Sequence, residues 1–299
     1  MGLIPSVLSV QSMVARGFVG NSAVIPGLLA CGIQPFPIHT VMLGAHGAVR
    51  PRRGGTVPDS LFFGLLKSLK DTPVDHVLSG YLGSARQGKI LSRWLIERPD
   101  IPYLLDPVLG DDPHGAYVVP EVARVVREDL LPLATVITPN PFEVFWLAGV
   151  DGNKPPIGVA GGRDSRKILE AARQLMNSVK KESLLKGRSG LKAIVVTGWR
   201  RESERIYTLI LDQESAWEIG TALVPWAAYG TGDLFAAVLV AGICHGYDLP
   251  RSCRGAARAV AAALRRSQRY GLDTVAPIHL PDDFFEEEAT ESEPFTLII

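Results

Sequence analysis

The sequence is short of most features that would settle its class at once. It has three cysteines, Cys31, Cys244 and Cys253, without CxxC spacing, which argues against a disulfide framework and against a zinc site. Each lies in or beside an apolar helical pattern and reads as a reduced core thiol. There is no excess of either charge: 31 Lys plus Arg face 31 Asp plus Glu. The basic residues are dispersed, so neither the footprint of a nucleic-acid binder nor a polybasic membrane patch is present. No apolar run approaches the roughly 20 residues of a membrane span, and the first dozen residues carry no basic stretch of the secretory kind. The expectation is a cytoplasmic protein with no membrane and no nucleic-acid partner. Met1-Gly2-Leu3-Ile4-Pro5-Ser6 fits the myristoylation pattern, but a buried strand is read directly after it and so short a pattern recurs by chance. There is no internal repeat and no GxxxxGK[ST]. The stretch Gly230-Thr231-Gly232-Asp233-Leu234-Phe235 puts a phenylalanine where GxGxxG needs its last glycine, so P-loop and dinucleotide readings are weak.

What is present is an alternation. In 299 residues, 46% hydrophobic and 21% charged, apolar β-branched runs recur at Pro5 to Val10, Pro35 to Leu43, Val74 to Ser79, Tyr103 to Asp106, Thr135 to Thr138 and Ala193 to Thr197. Helical patterns fall between them at Asn21 to Cys31, Ser60 to Leu69, Ala85 to Glu97, Pro120 to Leu131, Pro141 to Ala148 and Arg166 to Lys180. Strand and helix in turn predict a mostly parallel sheet covered on both faces, because crossover helices return the chain to the same edge. Arg205 to Leu211 and Ser215 to Leu223, joined by Asp212-Gln213-Glu214, predict an antiparallel edge hairpin. Two helices, Gly232 to His245 and Ser252 to Tyr270, follow. Asp151 to Gly162 and Lys180 to Gly190 read as surface loops inside one domain, and the acidic stretch Asp282 to Glu293 as a solvated tail.

Ligands of such sheets bind beyond the carboxyl ends of the strands. Polar and glycine residues gather there: Ser9-Val10-Gln11-Ser12, Gly44-Ala45-His46-Gly47, Gly80-Tyr81-Leu82-Gly83, Asp106 to Asp111, Thr138 to Glu143, Thr197-Gly198 and Gly230 to Asp233. A glycine-flanked helix start is an anion site, since its first N–H groups have no partner within the helix. Asp233 would repel a bound phosphate there unless it is a base or a cation balances it. Asp106, Asp111 and Glu143 would suit Mg²⁺ carrying nucleotide phosphates. Each has a plainer reading, as a turn residue, a first-turn acid or a cap. Together they favour phosphoryl transfer.

These residues carry a resemblance. From Val7 to about Arg269 the chain resembles a pyridoxal kinase of the ribokinase-like group, through LSVQSMVARGFVGNSA, VLSGYLGS, DPVLGD, PLATVITPNPFE and GTGDLFAA. The resemblance implies a three-layer α/β/α sandwich and a single kinase domain over residues 1–299. It implies transfer of the ATP γ-phosphoryl group to the 5′-hydroxymethyl of pyridoxal or a related vitamer. Asp233 would be the base, and the amides of Gly230, Thr231 and Gly232 would hold the moving charge. Asp106, Asp111 and Glu143 would hold or organise metal and water. Asp111, Asn140, Thr138, Thr197 and Gly198 would line the nucleotide side, with Tyr117 at the lid position. Ser12, Val19, Thr40, Val41, His46 and Tyr81 match the surroundings of the pyridine ring. The implied cofactors are ATP and Mg²⁺, with room for a monovalent cation such as K⁺, and the implied assembly is a homodimer. The chain departs from the family at Leu43-Gly44-Ala45-His46-Gly47-Ala48-Val49, where pyridoxal kinases read close to FSNHTGY. That departure keeps open a kinase of another hydroxymethyl heterocycle, such as hydroxymethylpyrimidine, and a weakly active vitamer-binding protein. Arg50-Pro51-Arg52-Arg53 reads as a solvated loop, or as a flap near the phosphates.

Overall fold

The computed structural model describes residues 4–149, 165–185, 190–278, 280, 285 and 296–297. In chain order the elements are β1 Ser6–Arg16, α1 Asn21–Ala30, β2 Gln34–Ala45, β3 Gly54–Thr56, α2 Asp59–Ser68, β4 His76–Ser79 and α3 Ala85–Ile96. They continue with β5 Tyr103–Leu105, β6 Gly110–Asp111, β7 Gly115–Ala116, α4 Pro120–Val125, β8 Val136–Ile137, α5 Pro141–Ala148 and α6 Ser165–Leu185. β9 Ala193–Arg201, β10 Arg205–Leu211, β11 Ala216–Ala222, α7 Thr231–Cys244, α8 Leu249–Tyr270 and β12 Thr296–Leu297 complete the set. The chain forms two compact units, Met1–Gly83 with Thr221–Glu293 and Ser84–Gly220 with Pro294–Ile299.

In the first unit the strand order is β4-β1-β2-β3. β1 runs parallel to both β2 and β4, and β3 is antiparallel to β2. Val7, Leu8 and Val10 of β1 are wholly buried, as expected for a central parallel strand covered on both faces. The buried Asn21 ties α1 to the sheet: its Oδ1 accepts from Ser9 Oγ at 2.6 Å, and its Nδ2 donates to the Ile38 carbonyl at 3.3 Å. α7 lies against α1 at Gly27, where a Cβ would come within 3.0 Å of Leu234 and 3.3 Å of Ala237. Leu234 to Ala241 are buried without a break, so α7 is an interior helix. Its five large side chains there contribute on the order of 10 kcal/mol of transfer free energy. α8 covers α7 with an alanine face, including Ala256, Ala259 and Ala263, all wholly buried.

In the second unit the order is β11-β10-β9-β8-β5, with β12 beyond β11. β5, β8 and β9 are parallel, while β10 is antiparallel to β9 and β12 to β11. β10 and β11 are neighbours joined by a tight turn in which Asp212 N donates to the Ser215 carbonyl at 3.0 Å, so the expected hairpin is present, with β12 rather than β11 outermost. β6 and β7 pair antiparallel as a small separate ribbon.

Several boundaries differ from the sequence expectations. β1 and β2 run on to Arg16 and Ala45, because the polar residues Gln11 and Ser12 sit inside the strand rather than at its end. The helix expected over Pro120 to Leu131 stays regular only to Val125 and passes through a π turn and a 3-10 turn ending at Leu133. α6 runs through Leu185, so the first part of the loop expected over Lys180 to Gly190 is helical. α8 starts three residues early because the Asp248 carboxylate accepts the Arg251 N–H at 2.7 Å, a side-chain cap. Asp151 to Gly162, the Met1 to Leu3 part of the myristoylation pattern, and all of the acidic tail except Phe285 lie outside the described residues.

None of the three cysteines is in a disulfide. Burial pushes the thiols of Cys31 and Cys244 up to about 12 and that of Cys253 well above the ordinary range. Among the described residues no helix is long and apolar enough to cross a membrane.

Candidate active site

The first unit contains the glycine-flanked helix start. Gly230 stands before α7 in the left-handed region at φ 88° and ψ 6°, and no side chain caps the helix. A Cβ on Gly230 would lie 2.0 Å from the Phe18 carbonyl oxygen, so both the turn and the close approach require glycine. The first-turn N–H groups are thus left without a capping side chain, as an anion site needs. The residue ahead of the turn is strapped in place: Tyr229 N donates to the Asp273 carbonyl at 2.9 Å, and Val275 N donates to the Tyr229 carbonyl at 2.8 Å.

Asp233 lies in the first turn of α7 and is half-buried. Burial raises its carboxyl from 3.8 to about 6, and the Gly20 N–H that it accepts lowers it part of the way back. Gly20, at φ 54°, is packed on Ser12: a Cβ there would come within 2.2 Å of Ser12 Oγ and 2.3 Å of the Ser12 carbonyl. Ser12, Gly20 and Asp233 therefore form one cluster.

Ser12 sits at a break in register. Gln11 pairs with His39 and Met13 with Met42, so Ser12 alone faces both Thr40 and Val41. Such bulges bend a strand and re-aim its side chains. All three residues are buried. Thr40 Oγ1 donates to the Tyr81 carbonyl at 2.7 Å, and a Cβ on Gly83 would press Val41 at 2.7 Å. The structure thus brings Ser12, Thr40, Val41 and Tyr81 together. Val19 is half-buried in the turn before α1, its carbonyl accepting from Ser22 N at 3.2 Å.

His46 is 6% exposed, and its Nε2 lies 3.0 Å from Asp273 Oδ2. Its ring stacks on Tyr229 with centroids 4.3 Å apart, which places it beside the residue preceding Gly230. Where the polar FSNHTGY-type side chains are missing, guanidinium groups approach. Arg50 Nη1 donates to the Gly47 carbonyl, and a Cβ on Gly47 would lie 2.9 Å from Arg52 Nη2.

The second unit holds the acids and the amides expected on the nucleotide side. Asn140 and Glu143 close a capping box at the start of α5: Glu143 N donates to Asn140 Oδ1 at 3.0 Å, and Asn140 N donates to Glu143 Oε2 at 2.9 Å. Glu143 Oε1 accepts the Leu109 N–H at 2.8 Å, and Asn140 Nδ2 donates to the Gly110 carbonyl at 2.8 Å. Burial pushes the Glu143 carboxyl up to about 7, against the backbone N–H groups of Asn140, Leu109 and Gly110 that favour its ionised form. Glu143 is thereby bound into the backbone of the loop ahead of β6. That loop is strained, since Val108 sits at φ 47°, a region costing a β-branched residue about 1–2 kcal/mol.

Asp106 is buried, and its Oδ1 accepts from Thr138 Oγ1 at 3.1 Å. Asp111 in β6 lies 2.8 Å from His114 Nδ1. Tyr117 follows the ribbon, 39% exposed, with its N–H donating to the Leu109 carbonyl at 2.7 Å. Thr197 N donates to the Pro139 carbonyl at 3.0 Å, and Gly198 has φ 59°. Among the described residues no three carboxylate, histidine or cysteine side chains gather to enclose a metal ion.

Sequence reasoning missed Gly20, Tyr229 and Asp273. Gly20 had a signal, a glycine just ahead of Asn21 at a helix start. Tyr229 and Asp273 had none, because their part depends on a tertiary contact with His46.

Comparison with known proteins fits this geometry. The profile of the family described as phosphomethylpyrimidine kinase matches residues 57–279. A pyridoxine/pyridoxal/pyridoxamine kinase of Bordetella avium is 34% identical over 88% of this chain and 85% of its own length. A pyridoxal kinase of Rubrobacter xylanophilus is 32% identical over 89% of each chain. Among solved structures, the pyridoxal kinase of Leishmania donovani in complex with ADP and pyridoxamine superposes with a TM-score of 0.79 at 23% identity, over 98% of both chains. The pyridoxal kinase of Entamoeba histolytica gives 0.78 at 23% identity, over 99% of both.

Proposed function

This chain belongs to the phosphomethylpyrimidine kinase family, and we propose that it is a pyridoxal kinase, moving the γ-phosphoryl group of ATP to the 5′-hydroxymethyl of pyridoxal. The observation that carries the reading is the cluster of Ser12, Gly20 and Asp233 at an uncapped, glycine-led helix start. Asp233 accepts the proton of the 5′-hydroxyl as its oxygen attacks the γ-phosphorus. The bond from that phosphorus to the β–γ bridging oxygen breaks, and ADP leaves with the electron pair. The first-turn amides around Gly230 to Gly232 stabilise the charge on the transferring group. A base with a carboxyl near 6 is ionised at neutral pH yet still basic enough to take the proton.

In the second unit Asp111, Thr138, Asn140, Thr197 and Gly198 serve the nucleotide, with Tyr117 as lid. Glu143 acts by ordering the Leu109 and Gly110 amides. A magnesium ion fits a donor set made only of oxygens. It keeps several waters and takes one or two carboxylates besides phosphates, so Asp106 and Asp111 suffice without a closed cage. When bound, it neutralises charge on the phosphates. Residues 1–299 act as a single kinase domain, as a cytoplasmic homodimer.

A second reading, a hydroxymethylpyrimidine kinase, is favoured by the glycines and alanines around His46. One assay separates the two: incubation with MgATP and pyridoxal, pyridoxine, pyridoxamine or hydroxymethylpyrimidine, with products identified by mass. A gain of one phosphate on pyridoxal is expected, whereas phosphorylation of the pyrimidine alone would overturn the assignment.

A further inference from the structure

The segment from Leu43 to Val49 carries a single ring, that of His46. A second ring reaches it from another element. Tyr229, which directly precedes Gly230, stacks on His46 with centroids 4.3 Å apart and planes inclined at 28°, near the offset arrangement that aromatic pairs prefer. His46 is enclosed, at 6% exposure, but Tyr229 is only half-buried. Part of the pair is therefore open to a ligand.

One residue holds both rings. Asp273 accepts the Tyr229 backbone N–H at its carbonyl, 2.9 Å away, and the His46 Nε2–H at its carboxylate Oδ2, 3.0 Å away. A carboxylate has no proton to give, so the imidazole nitrogen is the donor, and this bond holds the Asp273 carboxyl below its ordinary range. Around the junction Tyr229 pairs in parallel with Thr274, Val275 N donates to the Tyr229 carbonyl at 2.8 Å, and Trp226 Nε1 donates to the Leu272 carbonyl at 2.8 Å. Ser267 of α8 adds a further tie, its Oγ donating to the Thr274 carbonyl at 2.9 Å. The stacked pair is thus fixed beside the Gly230 turn. Gly230 in turn lies against the Phe18 carbonyl, in the loop that leads to Val19, Gly20 and the Ser12 cluster.

We propose that Tyr229 and His46 form an aromatic wall of the acceptor site, on which a flat heteroaromatic ring stacks through the open part of Tyr229, and that Asp273 is the positioning residue that keeps this wall in register with the Gly230 turn. This rests on the pyridoxal kinase reading above. Because the wall adjoins Gly230, a ring resting on it lies next to the anion site where the phosphoryl group is transferred. Stacking does not read ring substituents. The wall therefore sets the class of acceptor, a planar hydroxymethyl heterocycle, and leaves the choice among vitamers to other contacts.

The test measures the binding of pyridoxal, pyridoxine and pyridoxamine without ATP, followed by absorbance, in wild type, Tyr229→Leu, Tyr229→Phe, Asp273→Ala and Asp273→Asn. Tyr229→Leu is expected to lose about 3- to 10-fold in affinity for all three alike, with the KM for ATP unchanged in turnover assays. Tyr229→Phe keeps the ring and should bind as wild type does. Asp273→Ala should lose a similar factor, and Asp273→Asn, which keeps an acceptor oxygen for His46, should recover most of it. Since Asp273 acts through the wall, combining Tyr229→Leu with Asp273→Ala should lose no more than Tyr229→Leu alone. Wild-type affinity in Tyr229→Leu, or losses that multiply in the double variant, would overturn the proposal. Should Tyr229→Leu not fold, Asp273→Ala carries the test, and affinity equal to wild type there sinks the idea as well. Wild type that binds pyridoxal with this pattern but does not phosphorylate it sinks the kinase reading alone.

Discussion

If Asp233 takes the hydroxyl proton, turnover must track its ionisation. With the carboxyl raised to about 6, roughly 10% is ionised at pH 5 and roughly 90% at pH 7. The kcat/KM for pyridoxal should therefore rise close to tenfold across that range and then level off. Asp233→Asn should lose about 10²- to 10⁴-fold in kcat with substrate KM largely kept, and its residual rate should show no step near pH 6. The same group enters stability with the opposite sense. Its folded-state pKa lies above the ordinary 3.8, so the folded protein prefers the protonated form. That contribution is complete below about pH 4 and is lost as pH rises through about 6. A shift of about two units corresponds to about 3 kcal/mol, an upper bound because Asp233 keeps some solvent contact. Asp233→Asn should accordingly match wild type in urea unfolding at pH 4 and exceed it by about 1–3 kcal/mol at pH 8. Wild-type turnover in the variant, or a variant less stable than wild type at pH 8, would refute the assignment of both base and burial.

Three further perturbations test the parts around it. Gly20→Ala sets a Cβ 2.2 Å from Ser12 Oγ at φ 54°, and should cost about 2–4 kcal/mol in denaturant unfolding and raise the vitamer KM. Glu143→Ala strips the acceptor from the amides of Leu109 and Asn140, and should cost about 2–4 kcal/mol and raise the KM for ATP more than that for pyridoxal. Asp273→Ala removes the partner of His46 Nε2, itself 61% exposed. Unfolding should move by less than about 1 kcal/mol, while the pyridoxal KM rises and the ATP KM stays put, as steady-state kinetics would show.

The alternation of apolar runs and helical patterns was enough to read the parallel strands and the edge hairpin, because parallel strands buried on both faces announce themselves as continuous β-branched stretches. What stayed illegible was set by tertiary contact. Gln11 and Ser12 look like a strand end, yet β1 continues because β2 keeps pairing with it beyond the bulge. β3 is Gly54-Gly55-Thr56, without an apolar signal, and exists because β2 offers it a free edge. In the site, the N-x-x-E pattern from Asn140 to Glu143 was visible, but it suggested a metal ligand. The structure shows both of its oxygens accepting backbone N–H groups. His46 could be singled out as odd in a Gly-Ala stretch, whereas the Tyr229 and Asp273 that hold it are 183 and 227 positions away.

The cysteines have a practical consequence at the bench. A thiol pushed up to about 12, as at Cys31 and Cys244, is thiolate in only about one molecule in 10⁵ at pH 7, and the thiolate is the species that maleimides and iodoacetamide attack. Cys253 is fully enclosed and Cys31 and Cys244 are half-buried, so all three are expected to label slowly at neutral pH. A single cysteine introduced at exposed Tyr117 is expected to take a fluorophore faster than the native thiols, and would report on whether the segment moves when nucleotide binds.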